Sequence, residues 1–168
     1  MGVGVLLRGP SGIGKSECAL ELVCRGHRLV ADDIVRIRRD RDGSGLLGTA
    51  PELIRHFMEI RGIGLLHIPD LYGSEAVVRE GAVSLVIRLE AWREEAEYER
   101  VGLLRPTQNI AGIEIPSLVF PLRPAANMAT LVEAAARDEL RRREGLSGAE
   151  MLNDRFRNSV DAKPVSRS

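Results

Sequence analysis

Gly9-Pro10-Ser11-Gly12-Ile13-Gly14-Lys15-Ser16 fits the pattern G-x-x-x-x-G-K-[ST] of a loop that cradles nucleotide phosphates. The glycines let the backbone take positive φ and approach an anion with no Cβ in the way. Successive N–H groups then form a concave donor array. Lys15 adds a compact positive charge for the β and γ oxygens, and the Ser16 hydroxyl is a ready Mg²⁺ ligand. All eight residues are therefore expected to contact the phosphates of a bound nucleotide, which the resemblance described below makes ATP. Outward from the loop, Val3-Gly4-Val5-Leu6-Leu7 reads as a short buried strand. From Lys15 to Arg25 the residues Cys18, Ala19, Leu22 and Val23 recur at helical spacing, and Gly26 stands as a C-terminal stop. Strand, glycine loop and helix in that order aim a helix N-terminus at phosphate.

The chain has 168 residues, enough for one domain with its own core. Lys and Arg total 24 and Asp and Glu total 24, so no net field recruits nucleic acid or anionic lipid. No apolar run reaches the length of a membrane span and no signal-peptide pattern is read at the N-terminus. Cys18 and Cys24 fall on different sides of the same expected helix, which disfavours a disulfide. A cytoplasmic, reducing setting is expected.

Further along, Arg28-Leu29-Val30-Ala31 reads as a strand ending at Asp32-Asp33, and Ile34 to Ile37 continues extended. Asp42-Gly43 is a hairpin signal within the charged turn Arg39 to Gly45. Gly62 to Ile68 is apolar and glycine-rich, and Pro69 and Gly73 mark a loop. Ala82 to Leu89 alternates as a strand, Glu94 to Glu99 is a charged, solvated stretch, and Ile113 to Leu122 is extended. A helix is expected from Met128 to Arg143, with Leu131, Val132, Ala135 and Leu140 as its apolar stripe. Arg141-Arg142-Arg143 complement its C-terminal dipole. A short amphipathic helix from Ala149 to Arg157 uses Met151, Leu152 and Phe156. Residues 1–158 are expected to form one catalytic unit and residues 159–168 a disordered tail.

Three segments narrow the reading beyond the phosphate loop. These are Val30-Ala31-Asp32-Asp33, then Met58-Glu59-Ile60-Arg61-Gly62-Ile63-Gly64-Leu65-Leu66-His67, then Arg123-Pro124 after Ser117 to Leu122. In this order and spacing, residues 3 to 158 resemble the C-terminal catalytic domain of HPr kinase/phosphorylase, the bacterial enzyme acting on a serine of the phosphocarrier protein HPr. The Glu-Ile-Arg-Gly-Ile-Gly stretch carries most of the specificity. The resemblance implies an ATP-dependent protein-serine kinase that also removes the phosphate by phosphorolysis, releasing pyrophosphate. It further implies a hexamer and an α/β fold related to phosphoenolpyruvate carboxykinase, a mixed sheet flanked by helices. By the family pattern Lys15 is catalytic, Ser16 and Glu59 bind Mg²⁺, and Asp33 accepts the proton in the kinase direction and returns it in the reverse. Arg100, in Tyr98-Glu99-Arg100-Val101-Gly102, aligns with a further catalytic arginine.

The residue chemistry agrees with these roles. Asp33 lies just beyond an apolar strand, where α/β sheets place ligand-binding groups, and a carboxylate there suits an incoming serine hydroxyl. Asp32 is the alternative, as holder of a metal-bound water. Glu59 is the hard oxygen ligand that Mg²⁺ takes alongside retained waters. His27, His56 and His67 show no metal-ligand spacing, so a site built from them and the cysteines is not expected.

Two departures from the family pattern stand out. Family members carry a segment upstream of the first strand, with a histidine counted among the active-site residues, and a separate N-terminal domain. The sequence starts at Met1, too late for either, and weaker activity is expected, above all in reverse. After Arg123-Pro124 the family reads Gly-Arg-Asn, where this chain has Ala125-Ala126-Asn127. Alanine removes a guanidinium that could bind phosphate bidentately, so a kinase with weak phosphorolysis is expected. The alternatives are a small-molecule kinase or ATPase of the same fold and a non-catalytic nucleotide sensor. Steady ATP hydrolysis without response to HPr marks the first. The presence of Asp33, Glu59 and Lys15 together weighs against the second, because a sensor does not require a base. A GTPase is disfavoured by the absence of Asn-Lys-x-Asp.

Overall fold

The computed structural model describes residues 2–94, 102, 105–122 and 127–161. In chain order the elements are β1 (Val5–Arg8), α1 (Lys15–Cys24), β2 (Arg36–Arg39), β3 (Leu46–Thr49), β4 (Phe57–Ile60), β5 (Gly64–His67) and α2 (Ile68–Tyr72). They continue with β6 (Glu80–Ala82), β7 (Leu85–Ala91), β8 (Thr107–Ile110), β9 (Ile113–Leu122), α3 (Met128–Arg143) and α4 (Gly148–Asp161). The main sheet has the order β1-β7-β9-β8. β1 and β9 both run parallel to β7, with Val5 opposite Leu85 and Val86 opposite Ser117. β8 closes as an antiparallel hairpin on the first half of β9. Two smaller antiparallel sheets, β2-β3-β6 and β4-β5, stand beside it.

The centre of the molecule is β7, whose residues Leu85, Val86, Ile87 and Leu89 are fully buried. Successive strand residues point to opposite faces, so this one strand feeds two cores. Leu85, Ile87 and Leu89 pack with Cys18 of α1 and with Ala129, Val132 and Ala135 of α3. Val86 packs on the other side with Leu46, Val83 and Ile115, which belong to the small-sheet side. Helices, central sheet and small sheet thus form three layers. A third core joins Val23 and Leu29 to Met58, Ile60, Ile68 and Ala76, tying the back of α1 to the β4-β5 hairpin. That tie carries Glu59 toward the phosphate loop.

The expected α/β class, with a mixed sheet flanked by helices, is the one found. Several elements differ from expectation. The stretch Arg28 to Ala31 makes a single parallel bridge, Leu29 to Val77, and is no longer strand. The extended run begins at Arg36 rather than Ile34, and Val83-Ser84 divide the expected strand Ala82 to Leu89 into β6 and β7. The helix Met128 to Arg143 has the expected bounds, yet Leu131 and Leu140 are 44% and 38% exposed. The buried stripe is Ala129, Val132, Ala135 and Glu139. Leu131 and Leu140 each sit one residue, about 100° around the helix, outside that stripe, on opposite sides of it. Glu139 is tolerated inside because Arg105 and Arg143 both bind its carboxylate, which keeps the buried charge paired. α4 extends past the expected end at Arg157 to Asp161, with Met151, Leu152 and Phe156 exposed. Of the charged stretch Glu94 to Glu99, residues 95–99 lie outside the described residues.

Candidate functional site

The phosphate loop bridges the end of β1 and the start of α1. Gly14 caps the helix with φ 100° and ψ 21°, the left-handed region, where a side chain is strained. Space forbids one as well, since a Cβ on Gly14 would stand 2.7 Å from the Cε of Met128. The first helical bond runs from Cys18 N–H to the Gly14 carbonyl at 3.0 Å. The amides before it have no helical partner and point out of the helix N-terminus, the electropositive end. Lys15 curls back over the loop, its Nζ donating to the carbonyls of Gly9 at 3.1 Å and Pro10 at 3.0 Å.

Facing the loop is a cleft of about 220 Å³ lined by Ser11, Gly12, Gly14, Lys15, Ser16, Glu17, Asp32, Asp33, Glu59 and Arg61. Lys15, Ser16, Asp33 and Glu59 come from three separate stretches of sequence and share this cleft. Asp32 is partly withdrawn, its Oδ2 accepting the backbone N–H of Glu59 at 3.1 Å. Asp33 is exposed, and its carboxylate makes no hydrogen bond or ion pair among the described residues. Gly9, Pro10 and Ile13 belong to the loop without lining the cleft; Ile13 packs inward on the main core. Arg100, like Arg123 to Ala126, lies outside the described residues.

Arg61 is a site residue that reading the sequence left unassigned. Its guanidinium covers Gly12 so closely that a Cβ there would come within 3.2 Å of Nη1. The signal was available in the strand period, because Met58 and Ile60 are buried while Phe57, Glu59 and Arg61 alternate with them on the exposed side. Among the described residues no group of three or more His, Cys, Asp or Glu converges as a metal cage. Cys18 and Cys24 are both free. Burial, then the nearby Glu21, pushes the Cys18 thiol up to about 11, so it serves as core rather than nucleophile.

Behind the loop, α1 and α3 are latched together. Arg25 donates to Glu133 at 2.6 Å and Thr130 at 3.0 Å, and also pairs with Glu21. Asn127 caps α3 by accepting Thr130 N–H at 2.9 Å, and its amide donates to Glu21 at 3.2 Å. His27 reaches the other oxygen of Glu133 at 2.8 Å. The hydrogen bond from His27, then that from Arg25, holds the Glu133 carboxyl below its ordinary value. This latch seats Met128, the first residue of α3, against Gly14.

Comparison with known proteins agrees with the arrangement. The family described as HPr Serine kinase C-terminal domain matches residues 1–156. The HPr kinase/phosphorylase of Geobacillus thermodenitrificans is 49% identical over 160 residues, covering 95% of this chain and 52% of that protein. The protein of the same name from Bacillus subtilis is 46% identical over 160 residues, covering 95% and 51%. The chain thus spans about half the length of the curated relatives it matches. The solved structure of the Hpr(Ser) kinase/phosphatase from Coxiella burnetii is 35% identical with a TM-score of 0.77, over 85% of this chain and 86% of that one. A phosphate loop, a signature hairpin and a fold shared at these levels make the chain a member of the HPr serine kinase C-terminal domain family.

Proposed function

We propose that this chain is an ATP-dependent protein-serine kinase acting on HPr or an HPr-like phosphocarrier protein, residues 1–158 forming its catalytic unit. The observation that carries the reading is the convergence of Lys15, Ser16, Asp33 and Glu59 on one cleft at the N-terminus of α1. The acceptor serine enters beside Asp33, which takes the hydroxyl proton as the serine oxygen bonds to the γ-phosphorus. The bond from γ-phosphorus to the bridging oxygen breaks, and ADP leaves. The loop amides and Lys15 hold the phosphates and stabilise the charge that moves onto them. Lys15 swings from the carbonyls of Gly9 and Pro10 to the phosphate oxygens. Ser16 and Glu59, which line the same cleft, supply hard oxygen donors of the kind that would hold Mg²⁺. Bound there, the metal would supply charge neutralisation to the phosphates.

Arg100 adds positive charge to the transferring group. In the reverse direction inorganic phosphate attacks phosphoserine, pyrophosphate leaves, and Asp33 returns the proton to serine. That activity is weakened here by Ala125-Ala126. We assign the chain to the cytoplasm and to a hexameric assembly. No described helix is long and apolar enough to cross a membrane.

The test is intact-mass analysis of purified HPr after incubation with the chain, ATP and Mg²⁺, alongside Asp33→Asn. A phosphate-sized gain on a serine, lost in the variant, is expected. No gain while ATP still binds would sink the kinase reading in favour of a nucleotide sensor, and ATP hydrolysis indifferent to HPr would favour a small-molecule kinase or ATPase.

A further inference from the structure

We propose that Arg25, at the opposite end of α1 from the phosphate loop, is a positioning residue for nucleotide binding. It fixes the start of α3 so that Met128 presses on Gly14 and keeps the loop amides in their phosphate-binding arrangement. This deepens the kinase reading above and rests on the part of it that places ATP on the phosphate loop.

Arg25 is the C-cap of α1, its backbone N–H shared between the carbonyls of Glu21 and Leu22 at 3.1 Å each. Its side chain is only 29% exposed, and both terminal nitrogens are used. Nη1 donates to Glu133 at 2.6 Å and to Thr130 at 3.0 Å. Nη2 donates to Glu21 and, at 3.3 Å, to Asn127. One guanidinium therefore joins Glu21 of its own helix to three residues at the start of α3. His27, whose backbone N–H is bound to the Leu22 carbonyl at 3.0 Å, holds the second oxygen of Glu133 at 2.8 Å. Asn127 closes the ring by donating to Glu21 at 3.2 Å.

The residue after Asn127 is Met128, whose Cε stands 2.7 Å from where a Gly14 Cβ would be, so consecutive residues connect the latch to the loop. Apolar packing alone does not fix this contact. Cys18 of α1 meets Ala129, Val132 and Ala135 of α3, and side chains this small set the distance between the helices. Apolar attraction has no preferred direction, so it leaves α3 free to slide or turn. Hydrogen bonds have preferred angles, and four of them from one planar fork set both register and rotation. Met128 has a flexible side chain that fills the gap it is given, so the place where its backbone is held decides how it meets Gly14. Gly14, without a Cβ, restrains its own backbone least of all residues, and Met128 supplies the restraint. A loop amide that drifts is a phosphate donor lost.

The experiment titrates the whole chain and its variants with Mg²⁺-ATP and with inorganic pyrophosphate, well below each melting temperature. The variants are Arg25→Lys, which keeps the charge and loses the fork, Met128→Ala, and the two combined. Thr130→Val, at an exposed position, removes a single bond of the latch. Arg25→Lys is expected to weaken ATP binding by ~10-fold, the scale of coupling carried through a packed neighbour. Pyrophosphate should weaken by the same factor, because the loop and not the nucleoside is affected. Thr130→Val should move both in the same direction by less. The combined variant separates positioning from stability alone. With Met128 gone, Arg25→Lys should lower the melting temperature as before and cost little further affinity. Equal losses of affinity with and without Met128 would overturn the proposal, as would unchanged affinity in both Arg25→Lys and Thr130→Val. A loss confined to ATP would place the effect at the nucleoside and overturn it too. Should Arg25→Lys not fold, Thr130→Val with and without Met128 makes the same comparison. Failure of the unaltered chain to bind either ligand would overturn the nucleotide reading of the loop, and this proposal with it.

Discussion

Asp32 and Asp33 are adjacent in the chain but do different things: the Oδ2 of Asp32 is tied to the backbone N–H of Glu59 at 3.1 Å, while the Asp33 carboxylate faces the cleft without a protein partner among the described residues. One aspartate therefore fixes the distance between the Asp-Asp turn and β4, and its neighbour is left available for chemistry.

This division predicts opposite signatures for two neighbouring substitutions. Asp33→Asn should lower kcat for HPr phosphorylation by ~10²–10⁴-fold, the usual worth of a general base, with KM for ATP and melting temperature nearly unchanged. Asp32→Ala should cost about 1 kcal/mol of stability through the lost hydrogen bond and raise KM for Mg²⁺-ATP several-fold, as Glu59 loses its anchor. Single-turnover phosphorylation and thermal melts on both variants distinguish the roles. Identical kinetic losses would refute the division.

The latch between α1 and α3 predicts a particular acid response. His27 first, and Arg25 second, lower the Glu133 carboxyl from its ordinary 4.5. A lowered folded-state value means the unfolded chain binds the proton more readily, so the stabilisation is complete above about pH 4.5 and is lost as pH falls through the folded value. Glu133→Gln should therefore melt lower than the unaltered chain at neutral pH and converge with it in acid. Parallel melting curves across that range would show that the pair contributes nothing to stability.

Much of this molecule was legible in its sequence where the chemistry is local. The phosphate loop, α1 and α3 follow from spacing and caps within a few residues, and Asp33 and Glu59 from short motifs. The failures are tertiary. Arg28 to Ala31 has strand propensity but forms a single β-bridge among the described residues, Leu29 to Val77, and an extended run without a full partner is not a strand. β3, β4 and β8, each four residues long, escape the sequence reading: unlike β1, none of them leads directly into a motif that marks it as a strand. With β4 went Arg61 and the cross-strand pairing of Glu59 with Leu65. On α3 the large apolar residues Leu131 and Leu140 suggested the buried stripe. The close approach of α1 and β7 instead favours the small Ala129 and Ala135, and an ion-paired Glu139 takes the place of a leucine.

Gly14 tests how α3 supports the phosphate loop. A Cβ at this position meets two separate obstacles, the Cε of Met128 at 2.7 Å and a backbone φ of 100° that costs an L-residue about 1 kcal/mol or more. Gly14→Ala should reduce ATP affinity by at least ~10-fold and lower the melting temperature. Adding Met128→Ala removes the steric obstacle but not the conformational one. The double variant is expected to recover part of the stability and little of the affinity, read by melting and by nucleotide titration. Full recovery of both would mean that contact with Met128 alone requires the glycine.

The family pattern predicts that position 126 sets the balance between the two directions of transfer. Asn127 is anchored to Thr130, Glu21 and Arg25 at the start of α3. The family pattern places an arginine one residue earlier, where this chain has Ala126. A guanidinium binds phosphate through two parallel charge-assisted hydrogen bonds, whereas alanine has no donor to offer. The attacking phosphate of the reverse reaction has no adenosine to hold it, so it depends on such contacts more than ATP does. Ala126→Arg should therefore lower the apparent KM for inorganic phosphate in dephosphorylation of phosphoserine-HPr by ~10-fold or more, with the kinase rate changed by less than about threefold. The assay follows phosphate-dependent release of pyrophosphate from phosphoserine-HPr at several phosphate concentrations. An equal rise in both directions would mean that the arginine stabilises the shared transition state, because a group acting on the transferred phosphoryl itself must accelerate both. No rise in either would remove residue 126 from the reaction.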